Sequence, residues 1–229
     1  LDIMNALINL AYLVASALFI FGLKGLSHPR TAVRGNLLGA TGMLIAIVVT
    51  LVGFNIVSSR VVIAGLVAGA AIGATLAIKV QMTGMPQMVA LLNGFGGGAS
   101  VLVAGAALLE TIHLGQQSTT DATVATALSG IIGGVTFWGS LVAFGKLEEI
   151  VTGAPVLFKG QHALNAILLL GALTAGGALV YEPGNPTWYW IVVALAAVLG
   201  VLVTIPIGGA DMPVVISLLN SYSGLAAAA

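Results

Sequence analysis

Eight apolar stretches, separated by short polar links, leave this chain few ways to fold. Seven of them cover residues 3–23, 35–54, 61–80, 86–109, 122–145, 163–181 and 187–207, and an eighth begins at Pro213 and continues through Ala229. The hydrocarbon core of a bilayer is roughly 30 Å thick, and a helix needs about 20 mostly apolar residues to cross it. A span in lipid must satisfy its own backbone polar groups, so each run is predicted to be a helix. The fold class that follows is all-α, a polytopic transmembrane bundle of about eight helices. Only 6% of residues are charged, against roughly a quarter in ordinary globular proteins, and the mean hydropathy is +1.13. These values exclude a soluble domain. The first run could be mistaken for a signal peptide, but it carries Asp2 in place of a basic flank and is too long, so it reads as a retained span. The chain opens on Leu1, so its extreme N-terminus is expected to be trimmed or unobserved.

Charge placement predicts the orientation. Lys24, Arg30, Arg34, Lys79, Lys146 and Lys159 fall at links on one side of the membrane, and Arg60 alone falls on the other. Basic residues mark the cytoplasmic side, which puts the N-terminus outside. Tyr181, Trp188, Tyr189 and Trp190 then cluster at the outer ends of the sixth and seventh spans, where an aromatic interface belt belongs. The seven basic residues balance seven acidic ones, so no basic patch for nucleic acid is present. With no cysteine, disulfides, thiolate metal sites and iron–sulfur clusters are excluded.

Small residues recur at helical spacing. Gly65, Gly69 and Gly73 do so on the third span, Gly94 and Gly98 on the fourth, and Gly130 and Gly134 on the fifth. Their expected role is close helix–helix contact. The segment Asn93–Ala99 formally contains G-x-G-x-x-A, but it lies inside an apolar span, whereas a dinucleotide site needs a strand before it and a helix after it. Close packing around Asn93 is the better reading.

Titratable groups avoid the middles of the spans. Glu110, His113 and Asp121 are assigned to the outer fourth link, Glu148 and Glu149 to the inner fifth, and His28 to the inner first; His162 starts the sixth span from inside. No catalytic constellation, metal-ligand spacing or bound cofactor is predicted. Uncharged polar residues inside the spans are more informative: Asn93, Thr136 and Ser140, and on the eighth span Ser217, Asn220 and Ser221. Ser217, Asn220, Ser221 and Gly224 are spaced i, i+3, i+4, i+7 and so share one helix face. Such residues either bond neighbouring helices or hold water along a proton or ion path. Asp211 closes the Gly208–Asp211 turn before Pro213, where its carboxylate suits a helix cap or a coupling contact with a cytoplasmic partner.

The block GGADMPVVISLLNSYSG at residues 208–224 closely resembles the membrane domain of the beta subunit of proton-translocating NAD(P) transhydrogenase. Further matches are VTFWGSLVAFGKL at 135–147, VQMTGMPQMVALL at 80–92 and AYLVASALFIFGLKGLS at 11–27, so the resemblance covers nearly the whole chain. It implies a subunit of an enzyme that couples hydride transfer from NADH to NADP⁺ to inward proton movement. The NAD(H) and NADP(H) would be bound by partner domains, with no cofactor on this chain. It also implies nine helices, an alpha-subunit partner with membrane helices and an NAD(H)-binding domain, and a homodimer of alpha–beta units in a bacterial cell inner membrane. The ninth helix and the NADP(H)-binding domain do not occur within residues 1–229, which are therefore expected to be the transmembrane proton-translocating domain of a truncated or partly observed chain. The resemblance carries Asn220 and Ser140 onto a proton path and Asp211 onto a surface near the NADP(H) domain, with Thr136, Ser217 and Ser221 as supporting polar groups. Family members commonly carry a proton-path histidine where this chain has Asn93, and some relatives place one on an alpha-subunit helix instead. The titrating group is therefore expected from the alpha partner, packed against the fourth, fifth and eighth spans, with Gly94 and Gly98 permitting its close approach. The alternatives are a secondary transporter of a small solute or ion, which discontinuous helices and inverted repeats would favour, and a structural membrane subunit, which the polar stripe on the eighth span disfavours.

Overall fold

A computed structural model describes residues 2–53, 60–116 and 118–228. The expected eight helices are present: α1 (Asp2–Leu26), α2 (Ala32–Gly53), α3 (Arg60–Lys79), α4 (Met85–His113), α5 (Thr120–Leu147), α6 (Gln161–Tyr181), α7 (Thr187–Thr204) and α8 (Met212–Ala228). Among the described residues there is no strand. Helices α1 to α7 are each long and apolar enough to cross a membrane, and the chain is a multi-pass membrane protein. The end of the second expected span at residue 54, the link that follows it through residue 59, and the end of the eighth at Ala229 lie outside the described residues.

The chain divides into two compact units, Leu1–Ile78 and Lys79–Ala229. In the first, α1 packs along α2. Thr31 Oγ1 ties their link by donating to the carbonyls of Gly25 at 2.6 Å and His28 at 3.1 Å, and the hydroxyls of Tyr12 and Thr50 meet at 2.7 Å. No residue of α3 is buried. In the second unit α5 is the central helix, in contact with α4, α6, α7 and α8. Its buried residues run from Thr123 to Lys146.

Helices α4 and α5 run beyond their expected limits. Helix α4 continues through Glu110 to His113, both expected in a link, with Leu114 as its C-cap and Gly115 just beyond. Gly115 has φ +63°, and the amide of Gln116 reaches back to the carbonyl of Thr111 at 3.0 Å. A left-handed glycine that lets a later amide satisfy the last carbonyls is a common helix stop. Asp121 belongs to the first turn of α5, behind the Thr119 cap, where a negative charge complements the helix dipole. At the other end of α5, Lys146 is helical and buried rather than in a solvated link.

Candidate functional site

Two helices bring the first pair of candidate residues together. Asn93 lies on the face of α4 that also carries Gly97, and Gly133, Thr136 and Ser140 lie on one face of α5. A methyl group added at Gly97 would sit 2.8 Å from the carbonyl oxygen of Gly133, and one added at Gly133 would sit 2.7 Å from that of Gly97. Bare glycines at this crossing let the two backbones approach. One turn away, Asn93 Nδ2 donates to Ser140 Oγ at 2.9 Å, with both side chains buried. Thr136 is fully buried, and its hydroxyl accepts from Ser223 Oγ of α8 at 3.3 Å. Asn93, Ser140, Thr136 and the half-buried Ser223 thus bring polar atoms from three helices together. Ser223 escaped the sequence reading because it falls outside the i, i+3, i+4, i+7 stripe. Its partner Thr136, already singled out on α5, was the available signal.

The rest of the predicted set lies elsewhere. Ser217, Asn220, Ser221 and Gly224 share one face of α8, as expected, but all four are exposed in this chain. The buried residues of that helix are Met212, Ile216, Leu219 and Ala226. Ser221 Oγ donates to the carbonyl of Ser217 at 3.1 Å. Asn220 makes no side-chain hydrogen bond among the described residues, and the structure does not join it to the Asn93–Ser140 pair. Asp211 ends a single 3-10 turn, Gly209–Asp211, directly before α8. Its carboxylate is exposed and receives no capping bond among the described residues, so the expected cap does not form.

Two further expectations are corrected. Gly94 and Gly98 were to admit a partner helix. A methyl group added at Gly94 would instead meet Ser140 Cβ at 3.2 Å, and one at Gly98 the ring of Phe137 at 3.0 Å. Helix α5 already occupies that face. Tyr189, assigned to the aromatic belt, is 1% exposed. Its hydroxyl donates to the carbonyl of Val101 at 2.6 Å, and its ring fills the hollows at Gly105 and Gly130. A buried tyrosine needs a partner for its hydroxyl, and here it joins α7 to α4.

The family model for the NAD(P) transhydrogenase beta subunit matches residues 8–229. The chain belongs to the NAD(P) transhydrogenase beta subunit family. Two curated relatives from Rhodospirillum rubrum, one of them from a named strain, are each called NAD(P) transhydrogenase subunit beta. Both are 45% identical over 228 residues, covering 98% of this chain and 49% of their own length. The chain thus spans about half the length of the curated relatives it matches. As a member of this beta-subunit family it is a membrane component built from apolar helices, and three of its buried polar side chains, Asn93, Thr136 and Ser140, lie where α4, α5 and α8 meet.

Proposed function

We propose that this chain forms the proton-conducting membrane domain of an NAD(P) transhydrogenase, coupling hydride transfer from NADH to NADP⁺ in soluble domains to inward proton movement. The observation that carries this reading is the buried Asn93–Ser140 hydrogen bond, in a chain of that family. Nothing in the packing of two apolar helices requires an amide and a hydroxyl at their crossing, and such a bond contributes only about 0.6 kcal/mol on average in a membrane. Ser140 accepts from Asn93, keeps its own proton free to donate to a water, and has a second lone pair that can accept from a water or a passing hydronium. Thr136 and Ser223 extend the polar track by one turn.

Asparagine, serine and threonine orient a proton but do not store it, and histidine is the side chain whose ordinary pKa suits storage near neutrality. In our reading the titrating group comes from a membrane helix of an alpha-subunit partner. With the glycine face of α4 filled by α5, that helix docks on the stripe Ser217, Asn220 and Ser221. Exposed to lipid this stripe would be costly, and against a polar helix it gains partners. Asp211 faces the cytoplasm and contacts the NADP(H)-binding domain, the complex being a dimer of alpha–beta units in the bacterial inner membrane with the N-terminus of this chain outside. NADP(H) and NAD(H) stay on the soluble domains.

The test is proton pumping by the reconstituted complex. Ser140→Ala, Asn93→Ala and loss of one intramembrane histidine of the alpha partner are each expected to lower pumping at least tenfold. Pumping that survives every one of these changes would remove the proposed path. Asp211→Asn is expected to impair coupled transhydrogenation while the complex still assembles, and a wild-type rate would return Asp211 to a purely structural role. Cysteines placed at His113 and Gly153 are expected to react with impermeant reagents from opposite sides of the membrane, and reaction from one side would refute the orientation.

A further inference from the structure

Lys146 lies in the last turn of α5 and is 3% exposed. Its Nζ donates to the carbonyl oxygens of Ala154 at 2.9 Å, Ile205 at 2.7 Å and Ile207 at 2.9 Å. An ammonium group has three donors and no acceptor, so every N–H is engaged and every partner is main chain. Burying a charge is expensive unless its hydrogen bonds are fully made, and here they are. Ala154 belongs to the link between α5 and α6. Ile205 and Ile207 follow the end of α7, where helix carbonyls lack intrahelical partners and a positive charge is favoured.

Main-chain bonds join the same segments. Val156 N donates to the carbonyl of Ile205 at 3.3 Å, Gly209 N to that of Gly153 at 2.9 Å, and Val151 N to that of Gly145 at 2.9 Å. The end of α5, the 148–160 link and the 205–211 turn are therefore stapled together, with Lys146 at the centre. Asp211 is the last residue of the 3-10 turn in this assembly. Ser140 stands six residues before Lys146 on α5, roughly 9 Å along the helix axis.

We propose that Lys146 is a positioning residue for coupling. Its ammonium fixes the turn bearing Asp211 to the end of the helix bearing Ser140. A displacement of the turn then reaches the Asn93–Ser140 pair instead of being absorbed by the 148–160 link. Lys146 itself carries no proton across and touches no nucleotide. The inference rests on the reading of Asn93 and Ser140 as the proton path and of Asp211 as the coupling contact.

The experiment uses the full alpha–beta enzyme in proteoliposomes with Lys146→Met, which keeps the aliphatic stem and loses the donors and the charge. This chain has no native cysteine, so Ile207→Cys, at a half-buried position packed against the cluster that includes Met212 and Ile216, supplies a reporter of the turn, its alkylation read by mass spectrometry on its own peptide. With Lys146→Met, labelling is expected to accelerate at least tenfold, and protons moved per hydride transferred to fall by at least half. Unchanged labelling overturns the staple. Faster labelling with an unchanged proton-to-hydride ratio leaves Lys146 a structural tie and overturns the coupling role. Ser140→Ala and Asp211→Asn run in parallel: if both keep the wild-type ratio, the proton-path reading fails whatever Lys146→Met does. Should Lys146→Met fail to assemble, hydrogen exchange of the wild type decides. Amides of residues 205–211 are expected to exchange at least tenfold more slowly than those of the 182–186 link, and equal rates overturn the proposal.

Discussion

Helices α3 and α5 look alike in sequence and differ completely in the fold. Both are predominantly apolar, and both carry glycines at four-residue spacing. Half of the most apolar stretch of α5 is buried, against none of α3. Methyl groups at Gly65, Gly69 and Gly73 would meet nothing within 4 Å, whereas methyl groups at Gly130, Gly133, Gly134 and Gly139 would strike neighbouring helices at 3.0 Å or less. The lesson is that a small-residue stripe gives a helix the capacity for close contact and no information on whether a neighbour uses it. On α5 the capacity is used four times over, and the polar atoms of the candidate site are held at the resulting crossings.

The most disruptive test of this contrast is Gly97→Val. Its Cβ would press on the backbone of α5, which cannot rotate away as a side chain can. Overpacking typically costs about 1–3 kcal/mol and occasionally more, and we expect at least about 3 kcal/mol here, seen as failed assembly or a much lower Tm in detergent. Near-normal stability would mean that the α4–α5 crossing is looser than described. Gly130→Ala is expected to be milder, at about 1–3 kcal/mol, because its Cβ would face the Tyr189 ring at 3.0 Å and the Val192 methyl at 3.3 Å, both of them side chains. Thermal unfolding in the same detergent checks the order of the two variants.

Tyr189→Phe should cost about 1 kcal/mol, or roughly 2–4 °C in Tm for a chain of this size. It removes one hydrogen bond to Val101 and leaves the ring packing intact. A loss comparable to that of Gly97→Val would show that the tyrosine hydroxyl has a larger role than joining α7 to α4. The smallest effect belongs to α3. Gly69→Ala should be neutral or stabilising by up to about 1 kcal/mol, since alanine is the better helix former and nothing opposes its methyl group. If it destabilises the isolated chain, the contrast between the two helices fails. If it leaves the isolated chain unchanged but weakens the assembled complex, the stripe on α3 has its neighbour in another subunit.

The two ends of the Lys79–Ala229 unit repeat the lesson for polar residues. Lys146 and Tyr189 were placed by their residue types, a basic residue at a link and an aromatic in the interfacial belt. Both are buried, because carbonyl oxygens with a lone pair to spare lay within reach of each: the end of α7 for Lys146, and Val101 on α4 for Tyr189.

The sequence by itself determined the all-helical class, the number of helices and most of their limits. Lipid offers no hydrogen bonds to a backbone, so twenty apolar residues in a row leave a helix as the available span. It also singled out Asn93, Thr136 and Ser140, since polar side chains stand out in an apolar run. Only the tertiary structure decided which way each polar residue faces. The polar stripe of α8 sets Asn220 apart from Ser223, but a stripe by itself does not say whether it faces the bundle or the outside. The packing of α8 against α4 and α5 decides it: Met212, Ile216 and Leu219 fill the bundle side, Ser223 turns in with them, and Asn220, about 100° round the helix from Leu219, is left exposed.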